Sequence, residues 1–147
     1  MTAFFRSILA CLIVAVAATP APLRAAATAD VIEKSGPIVY VTGGVGEEER
    51  AALKKIEKQF NLKLIFTLKG GAFISDVLVA IKTAGGKTVL IDQAQGPIFM
   101  AKLPGGTYVV EATYEGSTQT RKTAVGKGLQ TLTFAWPGKL GVDTPVR

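Results

Sequence analysis

The sequence predicts a mainly β domain of the sandwich or barrel class. In residues 108–115, apolar side chains alternate with more polar ones, which is the two-residue period of a strand with one buried face. Segments of this kind recur about every ten residues and are separated by glycine-containing turns. The segment Ala84-Gly85-Gly86-Lys87 has the composition of a tight hairpin between two of them. Such spacing is typical of packed antiparallel sheets and not of alternating βαβ units.

One helix is predicted, over Glu47–Phe60. Ala52, Leu53, Ile56 and Phe60 fall on one face at helical spacing. Glutamates open the segment and lysines follow, the order that the helix dipole favours. Asn61 is expected as the C′ residue that ends it.

The remaining ordered part of the chain is read as strands and turns. Between Ile98 and Tyr114, two strands meet at the corner Leu103-Pro104-Gly105-Gly106, where Pro104 presets φ and a following glycine is expected to take a positive φ. A second turn is expected at Glu115-Gly116-Ser117. The other predicted strands are Pro37–Val41, Leu62–Lys69, Phe73–Thr83, Thr88–Asp92, Thr118–Val125 and Leu129–Ala135. The predicted core residues are Leu64, Phe66, Val79, Ile81, Tyr108, Val110 and Ala112.

The N-terminus has the anatomy of a cleaved secretory signal. Arg6 precedes a short apolar run, and Ala25-Ala26-Ala27 offers the small residues that a signal peptidase reads. The run is shorter than the roughly 20 residues of a membrane anchor. Cys11 lies inside the run and not after it, which argues against its lipidation. We therefore expect a signal over 1–27, a strand-and-helix extension over 28–60, a sandwich over 61–136 and a tail over 137–147, with a periplasmic or secreted location.

Composition excludes most catalytic chemistry. The chain has no histidine, and its one cysteine would leave with the signal. Nucleophiles activated by histidine, and zinc or copper sites built from imidazole or thiolate, are therefore not expected. The net charge of +6 falls to +4 once Arg6 and Arg24 are removed, and the basic residues are scattered. A nucleic-acid groove is not indicated, because no basic run interleaves with aromatic residues.

The strand order and the corner carry a family resemblance. Asp76-Val77-Leu78-Val79-Ala80-Ile81, the glycine hairpin, Gly96-Pro97 and the segment Leu103–Val110 resemble the carboxypeptidase regulatory-like domain. This resemblance covers about Leu62–Phe134 and implies an antiparallel Greek-key, prealbumin-like (transthyretin-like) sandwich of about seven strands. It further implies a non-catalytic module, since domains of this family are appendages to peptidases, receptors and surface proteins. The urate-pathway hydrolase that shares the fold depends on histidines and a C-terminal motif that this chain lacks.

Four features of the sequence are candidate sites. Gly43-Gly44-Val45-Gly46 precedes the helix like a phosphate loop, but no Lys-Ser/Thr follows, so a strand-to-helix turn is favoured. The carboxylates Asp76, Asp92, Glu111 and Glu115 are expected to be solvated or to stabilise turns, with Glu111 and Glu115 about 13 Å apart on one strand. Thr118–Thr123 is expected to be an edge strand protected by charge. Phe73, Phe99 and Trp136 are either interface anchors or core residues.

These features predict a secreted or periplasmic, non-enzymatic binding or interaction module. We expect an unknown protein or cell-envelope component as its partner, and no catalytic, cofactor or metal site. One alternative is a hydrolase or carbohydrate-active domain that uses carboxylates alone, which requires a concave pocket holding two acidic side chains. The other is a structural subunit that assembles in the envelope through an edge strand.

Overall fold

The computed structural model describes residues 32–138. Residues 1–31 and 139–147, and with them the predicted signal, Cys11 and most of the predicted tail, lie outside the described residues. The described part contains nine strands, one short α-helix and a 3-10 turn. In chain order they are β1 (Glu33–Ser35), β2 (Ile38–Gly43), α1 (Glu47–Ile56), the 3-10 turn (Glu57–Gln59), β3 (Leu62–Leu68), β4 (Val77–Thr83), β5 (Thr88–Ala94), β6 (Ile98–Lys102), β7 (Gly106–Tyr114), β8 (Ser117–Val125) and β9 (Gln130–Trp136).

The strands form two sheets. Sheet A has five strands in the order β1-β2-β6-β3-β9, and sheet B has four in the order β5-β4-β7-β8. All neighbours are antiparallel except β3 and β9, which run parallel with Leu62 opposite Gln130 and Leu68 opposite Trp136. The mainly β class is therefore confirmed, with one parallel pair that the sequence did not predict.

Seven of the nine strands fall within residues 62–136, and their bounds lie close to the predicted ones. The clearest difference is Phe73–Thr83, where the strand begins only at Val77 and Phe73 makes an isolated bridge to Thr67. The strands β1 and β2 are not separate from this group, because β2 pairs with β6 and extends sheet A. Residues 33–35 form a further strand, which pairs with β2 and which the sequence did not predict.

The main core lies between the two sheets. All seven predicted core residues belong to it, and six of them have no exposed surface, while Tyr108 is 6% exposed. Phe66, Phe134 and Trp136 pack as an aromatic group, with ring centroids 6.0–6.4 Å apart. The strand register inferred from the two-residue period is therefore confirmed in β3, β4 and β7.

A second, smaller core lies on the outer face of sheet A. Leu53 of α1 and Phe60 pack there against Val41, Ile98 and Met100. Because β6 contacts both cores, four consecutive side chains from Ile98 to Ala101 are buried. This pattern is that of a strand covered on both faces.

The helix is shorter than predicted. It ends at Ile56 and passes into the 3-10 turn, where the Phe60 amide donates to the Glu57 carbonyl (3.1 Å). The Glu57 carboxylate pairs with Lys63 of β3 (3.0 Å), which ties this turn to sheet A. Phe60 is still buried, so its place on the apolar face was correct although the helix stops before it.

The expectation that Asn61 is the C′ residue of the helix is wrong, because α1 ends at Ile56 and Asn61 lacks the left-handed conformation typical of that position. Among the described non-glycine residues, only Asp76 and Glu115 have a positive φ. Asn61 instead uses its side chain to join distant loops: Nδ2 donates to the carbonyls of Leu103 (2.7 Å) and Gly126 (3.2 Å), and Oδ1 accepts from the Leu103 amide (2.8 Å).

The corner after β6 also differs from the expectation. Neither Gly105 nor Gly106 has a positive φ. The corner carries the chain from sheet A to sheet B and is not a two-residue hairpin, so it does not need that conformation. It is held by Asn61 at Leu103 and by the Tyr108 hydroxyl, which donates to the Pro104 carbonyl (2.6 Å).

Candidate functional site

The loops at one end of the sandwich bring together several of the candidate residues. The ends of β2, β3, β5 and β7 lie here, with the connections 44–46, 69–76 and 95–97 and the turn 115–116. We call this end the Phe73 end. The opposite end, formed by the turn 36–37, the hairpin 84–87 and the corner 103–105, is called the Tyr108 end.

Phe73 is the one of the three candidate aromatic residues that is exposed. Its exposed fraction is 48%, whereas Phe99 and Trp136 are core residues. The segment that carries it is fixed by backbone bonds from Leu68 N to Ala72 O (2.8 Å) and from Ile74 N to Phe66 O (3.2 Å). The Arg50 guanidinium lies 5.1 Å from the ring centroid. The ring is therefore presented to solvent on a fixed support.

A cleft of about 350 Å³ lies between the segment Phe73–Asp76 and the pair Tyr114–Glu115. A smaller cleft, which Phe73 also lines, has Val45 and Pro97 in its walls, and Val45 is itself 69% exposed. Phe73 thus borders two concave surfaces. Aromatic side chains in such positions are typical anchors of binding interfaces.

Asp76 and Glu115 share the larger cleft, and both have left-handed backbone conformations, with φ of 61° and 46°. For Glu115 the cause is local, because Glu115-Gly116 forms the two-residue turn between β7 and β8 and both residues have positive φ. Asp76 is held by its amide, which donates to the Ala94 carbonyl (2.8 Å). Such conformations are uncommon outside turns and functional sites.

These positions revise the sequence-based view of the carboxylates. Glu115 lies in a turn and not on the face of β7, so it does not share a strand face with Glu111. Glu111 does lie on the outer face of sheet B, where its carboxylate pairs with Lys82 (2.9 Å). Tyr114, beside Glu115, has its pKa raised by burial and then by the nearby Glu115 and Asp76 charges. Its hydroxyl therefore stays protonated and able to donate near these two acids.

Asp92 was expected at a strand end, but it lies within β5. It lies near Tyr40 of β2, whose hydroxyl donates to Glu33 Oε2 of β1 (2.7 Å). Burial first, and then the hydrogen bonds and charges of Glu33 and Asp92, raise the pKa of Tyr40 well above its usual value. Tyr40 therefore remains a neutral donor near two carboxylates, an arrangement that no local sequence pattern indicates.

The glycine-rich loop before the helix makes the contacts of a strand-to-helix turn. Gly44 has a φ of 92°, and the Glu49 carboxylate accepts the Val45 amide (3.1 Å) at the helix N-terminus, where a phosphate would bind. Arg50 Nη1 donates to the Gly44 carbonyl (3.1 Å). A side-chain carboxylate thus supplies the negative charge at this helix end.

A third cleft, of about 390 Å³, opens at the Tyr108 end. Its walls are largely apolar and come from Pro37, Ile38, Val89 and the Tyr108 ring, with Lys87 at the hairpin. The sequence singled out the hairpin and the corner as turns, but it did not show that they enclose a common space with the turn 36–37.

The edge position of Thr118–Thr123 is confirmed, since β8 is the last strand of sheet B. It is tied to β9 of the other sheet by Gln119 Nε2 to the Ala135 carbonyl (2.7 Å) and by Trp136 Nε1 to the Ser117 carbonyl (3.0 Å). Arg121 lies over the Phe134 ring, 5.4 Å from its centroid. This strand is thus attached to both sheets.

No protein-family model matches this chain, and no curated protein matches it. Within residues 32–138, no helix has both the length and the apolar character needed to cross a membrane. In the same range, histidine, cysteine, aspartate and glutamate side chains form no group of three or more that could hold a metal ion.

Proposed function

We propose that this chain is a secreted or periplasmic, non-catalytic binding module that takes a protein or cell-envelope component at the Phe73 end. The observation that carries this proposal is the exposed Phe73 ring, which is carried on a segment held by backbone bonds and borders two concave surfaces. A segment that is ordered before binding loses little backbone entropy on binding, so burial of the ring by a partner adds to affinity. The signal-like N-terminus is the basis for the location.

The fold assigned in this proposal is a prealbumin-like Greek-key sandwich of the carboxypeptidase regulatory-like kind over residues 61–136. Its support is the path of the chain: β5 leads to β6 in the other sheet, and β7 then returns beside β4 and not beside β5. A return connection of this kind is the basis of Greek-key arrangements. On this view, β1, β2 and α1 are additions that extend and cover sheet A.

The test is capture from an envelope extract with the chain from residue 28 onward. We expect a specific partner with the wild type, and loss of that partner with Phe73→Ser. The matched control is Leu129→Ser, since Leu129 is an exposed apolar residue (37%) in the β8–β9 connection, away from the Phe73 end. Equal capture by the Phe73 and Leu129 variants, or no specific capture by the wild type, would contradict the proposal.

A second candidate function is a hydrolase that uses carboxylates alone. It is favoured by one observation, that Asp76 and Glu115 line a common cleft beside the Tyr114 ring. Such an enzyme needs one carboxyl group as acid and another as base or nucleophile. Assays on cell-envelope glycans with the wild type, Asp76→Asn and Glu115→Gln decide between the two functions. Turnover that both variants abolish favours the hydrolase, whereas no turnover by the wild type favours the binding module.

A further inference from the structure

The cleft at the Tyr108 end lies at the junction of three connections. The turn 36–37 of sheet A, the hairpin 84–87 of sheet B and the corner at Pro104 surround it. Its floor is continuous with the main core, because Ile38 and Tyr108 are buried core residues and Val89 packs against that core. The cleft is therefore a concave opening between the two sheets.

The cleft has the size and chemistry of a small-molecule site. About 390 Å³ lies within the usual range for ligand pockets, which have mostly apolar walls and a few polar groups that orient the ligand. Here the apolar walls are Pro37, Ile38, Val89 and Tyr108, and the polar lining residues include Thr83 and Thr88.

Lys87 gives the cleft a positive charge. It is the one charged residue among the described residues that line it. Its backbone is fixed in the hairpin, with its carbonyl accepting from the Thr83 amide (2.8 Å) and its amide donating to Thr83 Oγ1 (3.2 Å). Within residues 32–138, the ion pairs are Lys63–Glu57 and Lys82–Glu111, so no described carboxylate neutralises the Lys87 ammonium.

The hydroxyl of Tyr108 is already committed, since it donates to the Pro104 carbonyl (2.6 Å). The ring therefore contributes an apolar surface to the cleft, and its proton is not available to a ligand. An apolar body with one negatively charged head group complements these walls and the lysine.

We propose that the Tyr108-end cleft binds a small amphipathic carboxylate, with its hydrocarbon body against Pro37, Ile38, Val89 and Tyr108 and its carboxylate at Lys87. This site is separate from the Phe73 end, so the proposal does not depend on the function proposed above. The carboxylate accepts a charge-assisted hydrogen bond from the ammonium, and the hydrocarbon body loses its contact with water.

The test uses three probes with the same hydrocarbon chain: octanoate, octan-1-ol and octyltrimethylammonium. Octanoate and octyltrimethylammonium are titrated below their micelle concentrations, and octan-1-ol below its solubility limit, into the 15N-labelled chain from residue 28 onward, and amide shifts are recorded. We expect octanoate to bind most tightly and to shift amides of 36–38 and 87–89. Lys87→Met should weaken octanoate about three- to tenfold and leave octan-1-ol within about twofold.

Two further variants complete the design. Val89→Trp fills the cleft and should abolish shifts by octanoate and octan-1-ol alike, with a thermal melt to establish that the variant is folded. Val89→Phe serves the same purpose if the tryptophan variant does not fold. Lys69→Met is the charge-matched control, because Lys69 is exposed in the turn after β3 at the opposite end.

Several results would overturn the proposal. These are the absence of any shift by octanoate at millimolar concentration, binding of octyltrimethylammonium as tight as that of octanoate, and octanoate affinity that Lys87→Met leaves unchanged. Shifts of the same amides with protein concentration alone would also overturn it, because a second copy of the chain would then be the occupant. Failure of capture at the Phe73 end has no bearing on these outcomes.

Discussion

The two sheets differ in what covers their outer faces. Sheet A is buried on both sides around β6, where the inner side chains meet sheet B and the outer ones meet Leu53 and Phe60. The outer face of sheet B is exposed, and Leu78 and Ile91 have exposed fractions of 45% and 60%. Sheet A is therefore interior around β6, whereas sheet B has a core face and a solvent face throughout.

This difference indicates where a ligand can bind. The part of sheet A that the helix covers offers no free surface, and the outer face of sheet B bears an ion pair, Lys82–Glu111, and the hydroxyl pair Thr113–Thr118 (2.7 Å). The concave surfaces described above lie instead at the two ends, where connections leave the sheets. Loops on a rigid scaffold are the usual place for binding residues.

The largest effect is expected from a charge on the inner face that the two sheets share. Val110→Asp places a carboxylate at a position with no exposed surface, at a cost of several kcal/mol and a large part of the stability of an ordinary domain. We expect loss of the cooperative thermal transition or a large fall in melting temperature. A melting temperature close to that of the wild type would show that this face of β7 is not interior.

An intermediate effect is expected where sheet A is joined to the connections at the Tyr108 end. Asn61→Ala removes the partner of the Leu103 amide and of two carbonyls, and we expect a loss of about 2–3 kcal/mol in urea unfolding. Gln59→Ala is the matched control, because Gln59 is exposed two residues earlier. Equal unfolding curves for the two variants would show that the Asn61 bonds contribute nothing measurable.

A smaller effect, which depends on pH, is expected at the edge between β2 and β5. Tyr40 has a raised pKa in the folded chain, so its contribution is complete below the ordinary tyrosine pKa of about 10 and is lost as the pH rises above that value. Tyr40→Phe should therefore be less stable than the wild type at pH 7, by about 1 kcal/mol. The difference in unfolding free energy between the wild type and Tyr40→Phe should become smaller above pH 10. Urea unfolding at pH 7, 9, 10 and 11 measures this difference. A stability difference between the wild type and Tyr40→Phe that stays constant from pH 7 to pH 11 would contradict the assigned environment of Tyr40.

The smallest effect is expected on the outer face of sheet B. Glu111→Ala removes a partly exposed ion pair with Lys82, for which a change of less than about 1 kcal/mol is typical. The melting temperatures of Glu111→Ala and Val110→Asp compare the two faces of one strand at neighbouring positions. If the Glu111 variant proves the more damaging of the two, the faces of β7 are reversed or Glu111 belongs to a polar site.

The alternating part of the fold was predictable from the sequence. A two-residue period places every second side chain on one face, so the core positions of β3, β4 and β7 follow from the pattern alone. The continuous apolar run of β6 has no such period, because both of its faces are covered. The pattern of Glu47–Phe60 showed an apolar face, but nothing local identified sheet A as its partner.

The candidate sites were less accessible to sequence analysis, for a physical reason. Asn61 is 42 residues from Leu103 and 65 from Gly126, and such contacts leave no mark in a local pattern. The same holds for Glu33, Tyr40 and Asp92, which meet only because β1, β2 and β5 lie at neighbouring edges of the two sheets. Phe73, Phe99 and Trp136 are equal candidates in the sequence, and only their burial in the structure shows that Phe73 is the exposed one.

The most direct test of the contrast between the sheets compares two large-to-small changes on the two outer faces. Met100→Ala acts on the outer face of sheet A, where Met100 has no exposed surface, and Leu78→Ala acts on the outer face of sheet B. Urea unfolding should show a loss of about 2–4 kcal/mol for Met100→Ala and of less than about 1 kcal/mol for Leu78→Ala. Equal losses, or a larger loss for Leu78→Ala, would contradict the account that only sheet A is covered on both faces.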